Sequence, residues 1–267
     1  MLDLKLRGKT AIVTGGSAGI GFACASALYA EGVNVVITAR DVERLEKAGE
    51  AIRSQGGEGN QAQVIVVQGD MSQGADIKRV VDVALQRLGK IDILVNNAGS
   101  APAGSFLQLP EEAFLDAWKL KLLGYMRMIR AVAPGMIERR DGRIVNIIGG
   151  AGRTPAPTML PAGTTNAALL NLTRGLSKDL AAHNIRINSI SPGNTATARA
   201  ERLAEQQAAA RGISVEEVKA ERLRTMPLGK MVQPEEIAAM SLFLVSDLAA
   251  SITGAEILID AGAAPSV

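Results

Sequence analysis

The chain has 267 residues, 47% hydrophobic and 21% charged, which suffices for one ample core. A formal net charge of +2, with no basic tract, argues against a nucleic-acid partner, and no apolar run approaches the roughly eighteen residues of a membrane span. One cysteine, Cys24, excludes an internal disulfide and suits a reducing compartment.

The opening Met1–Arg7 lacks the apolar run of a signal peptide, so a soluble, cytoplasmic protein is expected. Strand Thr10–Thr14 is predicted to lead into a helix at Ile20–Glu31, and strand Val33–Thr38 into a helix at Val42–Ser54. A polar, glycine-rich connector at Gln55–Asn60 reads as a surface loop. Strand Val64–Gln68 then precedes a helix at Ala75–Leu88, and strand Ile91–Asn96 a long helix over Glu111–Ile137. Glu138–Asp141 reads as a solvated turn. Strand Arg143–Ile148, a helix over Ala162–Ala182 and strand Arg186–Ile190 come next. A charged helical stretch, Ala200–Met226, carries a capping box at Ser214–Glu217, and helix Glu235–Val245 and strand Glu256–Ile259 end the series. Val/Ile runs of this kind suit strands buried on both faces. Strands alternating with helices imply a single α/β domain, a doubly wound parallel seven-stranded sheet of Rossmann type. Its ligand belongs at the rim formed by the carboxyl ends of the strands.

At that rim, Thr14-Gly15-Gly16-Ser17-Ala18-Gly19-Ile20-Gly21 joins the first strand to the first helix. Glycines let the backbone turn sharply and approach a pyrophosphate, whose charge meets the helix amino terminus. A lone glycine-rich turn is weak as a signal. Strand before and helix after strengthen it.

With this turn the chain resembles the short, single-domain branch of the short-chain dehydrogenases/reductases. The likeness continues in order through Asn96-Asn97-Ala98-Gly99, through Pro192-Gly193 with Thr195 and Thr197, and through Pro234–Ile237, Thr253-Gly254 and Asp260–Gly262, where Ala261 replaces a usual glycine. The resemblance implies a nicotinamide cofactor held by Gly15, Ser17, Ala18, Gly19, Ile20 and Gly21, by Asp70 and Met71 near the adenine, by Asn97, Ala98 and Gly99, and by Pro192, Gly193, Thr195 and Thr197 around the carboxamide. Where NAD-binding relatives place an acid, this chain has Ala39 and then Arg40. That pair favours the 2′-phosphate of NADP(H) over NAD(H), against the plain reading of Arg40 as a solvated loop residue.

Relatives carry out the redox step with an asparagine on a helix, a serine after the fifth strand, and a tyrosine and lysine four apart. The neighbouring motifs set those positions at Lys121, Gly149, Ala162 and Asn166, so all four residues differ here. Neither tyrosine, Tyr29 or Tyr125, has a lysine four residues on. Lys121 is the candidate replacement acid or base, because desolvation depresses a lysine pKa; the alternative is that it fills polar space or ion-pairs. Tyr125, one turn along, either joins it or packs. Arg153 either binds an anionic substrate group or is solvated. Cys24, Trp118 and the methionines of 126–136 read as packing, and His183 as a helix-end residue. With one histidine and one cysteine, no metal cluster is supported.

Three functions remain open: an NADP(H)-linked oxidoreductase of unknown substrate with a non-standard site, a catalytically silent NADP-binding subunit or sensor, and a non-redox enzyme using the same pocket. The resemblance also implies a homotetramer built on the helices at 111–137 and 162–182, and a substrate lid at 200–226.

Overall fold

A computed structural model describes residues 3–264 except Glu58, and at Ala210 the backbone alone. Seven strands form one parallel sheet: β1 (Thr10–Thr14), β2 (Asn34–Ala39), β3 (Val64–Gln68), β4 (Ile93–Asn96), β5 (Gly142–Ile147), β6 (Ile185–Pro192) and β7 (Glu256–Ile259). Their order across the sheet is β3-β2-β1-β4-β5-β6-β7. The chain winds outward from β1 to β3 and then returns to β4 on the other side. The crevice at the carboxyl ends of β1 and β4 is therefore the switch point of the fold.

Helices cover both faces. α1 (Gly19–Ala30), α2 (Val42–Ser54) and α9 (Pro234–Val245) lie on one, and α3 (Gly74–Leu88), α5 (Gly124–Arg139) and α6 (Leu160–Ala181) on the other. Alternate strand residues feed the two cores, as the pleat requires. Ala11 and Val13 pack with Leu28, Leu45 and Ile237, while Ile12 packs with Val80, Met128 and Val132. Cys24 is buried in the first core, as expected of a small apolar group; burial pushes its thiol up to about 11, against a hydrogen bond with Ser241.

Two expectations need correction, and a third is extended. The helix predicted over Glu111–Ile137 is not continuous: α4 (Glu111–Ala117) and α5 flank a π-helical turn at Trp118–Leu123. An apolar repeat cannot reveal this, because the hydrophobic side chains continue through the wider turn. The stretch at 200–226 is two helices, α7 (Ala198–Arg211) and α8 (Val215–Arg224). They share a small core of Ala204, Ala208 and Val218, and the capping box at Ser214 and Glu217 is formed. The turn at 138–141 is solvated at Glu138, Arg139 and Arg140 but is also anchored: Asp141 pairs with Lys9 at 3.1 Å and with Arg143 at 2.7 Å, and Arg139 donates to the Ile91 carbonyl at 2.6 Å.

Smaller shifts concern strand ends. β2 and β4 each begin later than predicted, and β6 runs on to Pro192 at the rim. Trp118 is not core: it stands 37% exposed, in an edge-to-face series with Phe114 and Phe106. His183 lies just past the end of α6, where its backbone N–H caps Leu180. Of the Gln55–Asn60 connector, Asn60 donates to the Tyr29 carbonyl at 2.9 Å, and Glu58 lies outside the described residues. No helix among the described residues is long and apolar enough to cross a membrane.

Candidate active site

The β1–α1 turn is built for close backbone approach. Gly15 and Gly19 have φ of +68° and +54°, conformations that side chains disfavour. A Cβ on Gly21 would lie 2.3 Å from the Gly15 carbonyl oxygen, so only glycine fits. α1 begins with Ala18 at its cap, no side chain capping it and no acid in its first turn. Its first N–H groups and positive dipole end thus keep their capacity for an anion. These are the properties that a dinucleotide pyrophosphate requires, and Ser17 and Ile20 lie in the same turn.

The neighbouring rim segments are fastened to this turn. Asn97 donates through Nδ2 to the carbonyls of Thr14 and Gly15 at 3.0 and 3.2 Å. The backbone N–H groups of Asn97 and Ala98 both donate to Thr14 Oγ1. Asp70 lies just after β3, its carboxylate accepting from the Ser72 N–H at 2.8 Å, and Met71 is buried beside it. Beyond β6, a Cβ on Gly193 would meet Asp260 at 2.7 Å. Thr195 donates to the Gly193 carbonyl, and Thr197 caps α7 by accepting from the Ala200 N–H. The Thr197 methyl lies 3.2 Å from where a Gly19 Cβ would be, so the segment after Pro192 touches the glycine turn. Arg40, at the end of β2, is exposed and, among the described residues, joins no ion pair. Asp41 next to it is used as the cap of α2, accepting from the Arg44 N–H.

Across the crevice stands Lys121, presented by the π turn. A π turn accommodates one more residue than α-helical winding allows and changes where side chains point. The Lys121 stem lies over Gly99, where a Cβ would come within 2.8 Å of its Cδ. Its ammonium group donates to the Ile148 carbonyl and to Asn166 Oδ1 at 2.9 Å. Asn166 is 4% exposed and donates in turn to the Gly149 carbonyl at 3.3 Å. Burial, with the neighbouring Arg199 charge adding to it, brings Lys121 down to about 7. The amine therefore holds a proton it can either keep or release near neutral pH.

The other candidates resolve differently. Tyr125 is buried and its hydroxyl donates to the Ile147 carbonyl at 2.8 Å; burial raises its pKa well above the usual phenol value. That side chain packs, its ring centre 5.9 Å from Lys121 Nζ. Arg153 is exposed, as its plainer reading expects, and its guanidinium donates to Glu256 at 2.9 and 3.0 Å. The Glu256 side chain is 2% exposed, and it also accepts from Ser191 at 2.8 Å. Gly149 has φ of +117°, so a serine there would carry about 1–3 kcal/mol of backbone strain. Ala162 lies on α6, one turn before Asn166. An apolar groove of about 540 Å3 between α3 and α5 contains none of these residues.

One rim residue escaped the sequence reading. Arg199, in the first turn of α7, donates to the carbonyls of Gly99 and Ala101 at 3.1 and 3.3 Å, beside Lys121. Only its place two residues after Thr197 could have pointed to it.

A family model described as enoyl-(acyl carrier protein) reductase matches residues 15–264. The NADPH-dependent reductase BacG of Bacillus subtilis is 31% identical, over 97% of this chain and 99% of its own. Among solved structures, L-sorbose reductase from Gluconobacter frateurii, complexed with NADPH and L-sorbose, aligns over the whole of both chains with 28% identity and a TM-score of 0.92. NAD+-bound xylitol dehydrogenase aligns over 97% of this chain and all of its own, with 30% identity and a TM-score of 0.90.

The Lys121 titration predicts a pH effect on stability. Folding lowers this amine from 10.5 to about 7, so the unfolded chain binds more protons between those values. Stability gains a component that rises with pH across that window. In Lys121→Met it should be missing. Urea unfolding of both proteins at about pH 7, 8.5 and 10 measures the difference, and parallel trends would mean that the amine titrates normally.

Proposed function

We infer, since the chain belongs to the short-chain dehydrogenase/reductase family of oxidoreductases, that it is an NADP(H)-linked oxidoreductase in which Lys121 handles the proton. The observation that carries this reading is the contact of Lys121 with Asn166 across the cleft. Relatives bear asparagine at the first of these positions and lysine at the second; here the two residue types are exchanged between the helices. The cleft keeps one cation and one amide, with the cation delivered from the opposite wall. No group at Gly149 or Ala162 takes the part of serine or tyrosine.

When bound, the nicotinamide dinucleotide supplies or accepts a hydride at the carbon bearing the reacting oxygen. The chain's own residues do the rest. The β1–α1 turn and the α1 amino terminus hold the pyrophosphate, and Asn97 keeps that turn in place. Asp70 and Met71 flank the adenine, and Pro192, Gly193, Thr195 and Thr197 enclose the carboxamide end. Arg40 takes the 2′-phosphate, since Ala39 offers no acid for an unphosphorylated ribose and Asp41 is engaged as a helix cap. Lys121 gives its proton to the oxygen that becomes negative during reduction, or takes one during oxidation, while Asn166 fixes the ammonium group. Proximity of the reacting centres together with one positioned acid supports slower turnover than a full tetrad.

A second reading, a silent NADP-binding subunit, is favoured by Gly149: its backbone is set for glycine, so the site is not one substitution from a serine-bearing one. The two readings part on turnover. The substrate lid at α7–α8 and assembly into a homotetramer belong to the same proposal. Assembly is supported by exposed Phe106, Leu107 and Trp118 beside the outer faces of α4 and α6.

Titration with NADPH and NADH, followed by nicotinamide fluorescence, should show tighter binding of NADPH. Arg40→Ala should weaken NADPH by roughly tenfold or more, as expected for loss of a charge-assisted hydrogen bond, and leave NADH unchanged; equal loss for both would refute the phosphate role. In a carbonyl screen with NADPH, Lys121→Ala should abolish turnover, and the exchanged pair Lys121→Asn with Asn166→Lys should recover more of it than either single variant. Activity untouched by Lys121→Ala would sink the proton assignment. Light scattering should give the mass of four 27.8-kDa chains, and a monomer would overturn the assembly.

A further inference from the structure

Gly99 is flanked by two cations. The Lys121 stem lies over it, and Arg199 Nη1 donates to its carbonyl at 3.1 Å. The two arrive from different elements, the π turn and the first turn of α7, and the Arg199 charge bears on the Lys121 amine. Arg202 adds a third positive group against Arg199. Among the described residues no carboxylate pairs with Lys121 or Arg199; Glu201, the acid nearest in sequence, is taken by Lys219 at 2.7 Å. Arg199 spends two N–H donors on the carbonyls of Gly99 and Ala101, and a guanidinium has five.

Two like charges gathered at one rim, part-buried Lys121 and exposed Arg199, repel, and an anion lodged between them reverses the sign of that interaction. Arginine is the better matched of the two to a carboxylate, which it meets as a planar fork. Lysine suits a single oxygen.

We propose that the substrate is a carboxylic acid, its carboxylate held by Arg199 and its reacting oxygen facing Lys121. This rests on the oxidoreductase reading above and narrows it to substrates such as 2-oxo acids, in which the two groups are adjacent. Arg199 is then a binding and specificity residue, carried in the first turn of α7. The same cations could instead serve the cofactor diphosphate, and the test separates the two.

The experiment compares pyruvate, 2-oxohexanoate and benzoylformate with their methyl esters. Each is titrated into the protein saturated with NADPH, and binding is read from nicotinamide fluorescence and thermal shift. At least one acid should bind about tenfold or more tightly than its ester. Arg199→Gln should remove that preference, Arg199→Lys should keep part of it, and NADPH affinity should change in neither. Acids and esters binding alike, or no acid binding at all, would overturn the proposal; so would Arg199→Gln weakening NADPH while leaving the acid preference intact. If the wild-type protein fails to bind NADPH, the cofactor reading has failed by itself. The acid–ester comparison is then made by thermal shift on the protein alone, and a preference lost in Arg199→Gln still supports the subsite while its absence refutes it.

Discussion

A lysine ammonium inside a cleft must find acceptors there, since burying a charge without partners costs several kcal/mol. Much of the rim is arranged around that demand on Lys121. The Ile148 carbonyl at the end of β5 supplies one acceptor and Asn166 on α6 another. Gly99 leaves room for the lysine stem. Asn166 is oriented by the group it donates to, the Gly149 carbonyl, and so the left-handed backbone at Gly149 belongs to the same arrangement. Three segments distant in sequence thus share one hydrogen-bonded group at the rim, and Gly99 makes room for it.

Beneath it lies a buried polar relay that keeps the strand ends in register. Asn96 on β4 donates to Asn146 on β5 at 3.0 Å, and Asn146 to Thr173 on α6 at the same distance. Thr173 closes the relay on its own helix at the Leu169 carbonyl. These groups are fully enclosed, where each satisfied partner matters most. They tie β4, β5 and α6 together one layer below the walls that carry Ile148 and Asn166.

The fold was legible because the alternation of Val/Ile runs with amphipathic stretches is a long-range repeat that each segment reports independently. The glycine turn was legible for a similar reason: Gly15, Gly19 and Gly21 answer to local backbone constraints. The features that stayed hidden depend on partners far away in the chain. Arg153 looked free until Glu256, 103 residues later, was placed beside it. Arg199 carries no local mark, since an arginine in a helix first turn is commonplace. Tyr125 stays beside Lys121, as its helical spacing implied, but the partner of its hydroxyl, the Ile147 carbonyl, lies 22 residues on. Lys121 and Asn166 stand 45 residues apart, so their contact appears only in the fold.

The π turn also imposes an asymmetry on how this chain can change. A wide turn is a less favourable way to wind those residues than the α-helix on either side. Removing one residue from Trp118–Leu123 would let α4 and α5 fuse into a single regular helix. That repair would rotate α4 by about a hundred degrees relative to α5, and Lys121 could not stay in register with both Gly99 and Tyr125. Selection for stability alone would therefore drift towards losing the residue. The irregular winding thus sets where the Lys121 amine points relative to both helices.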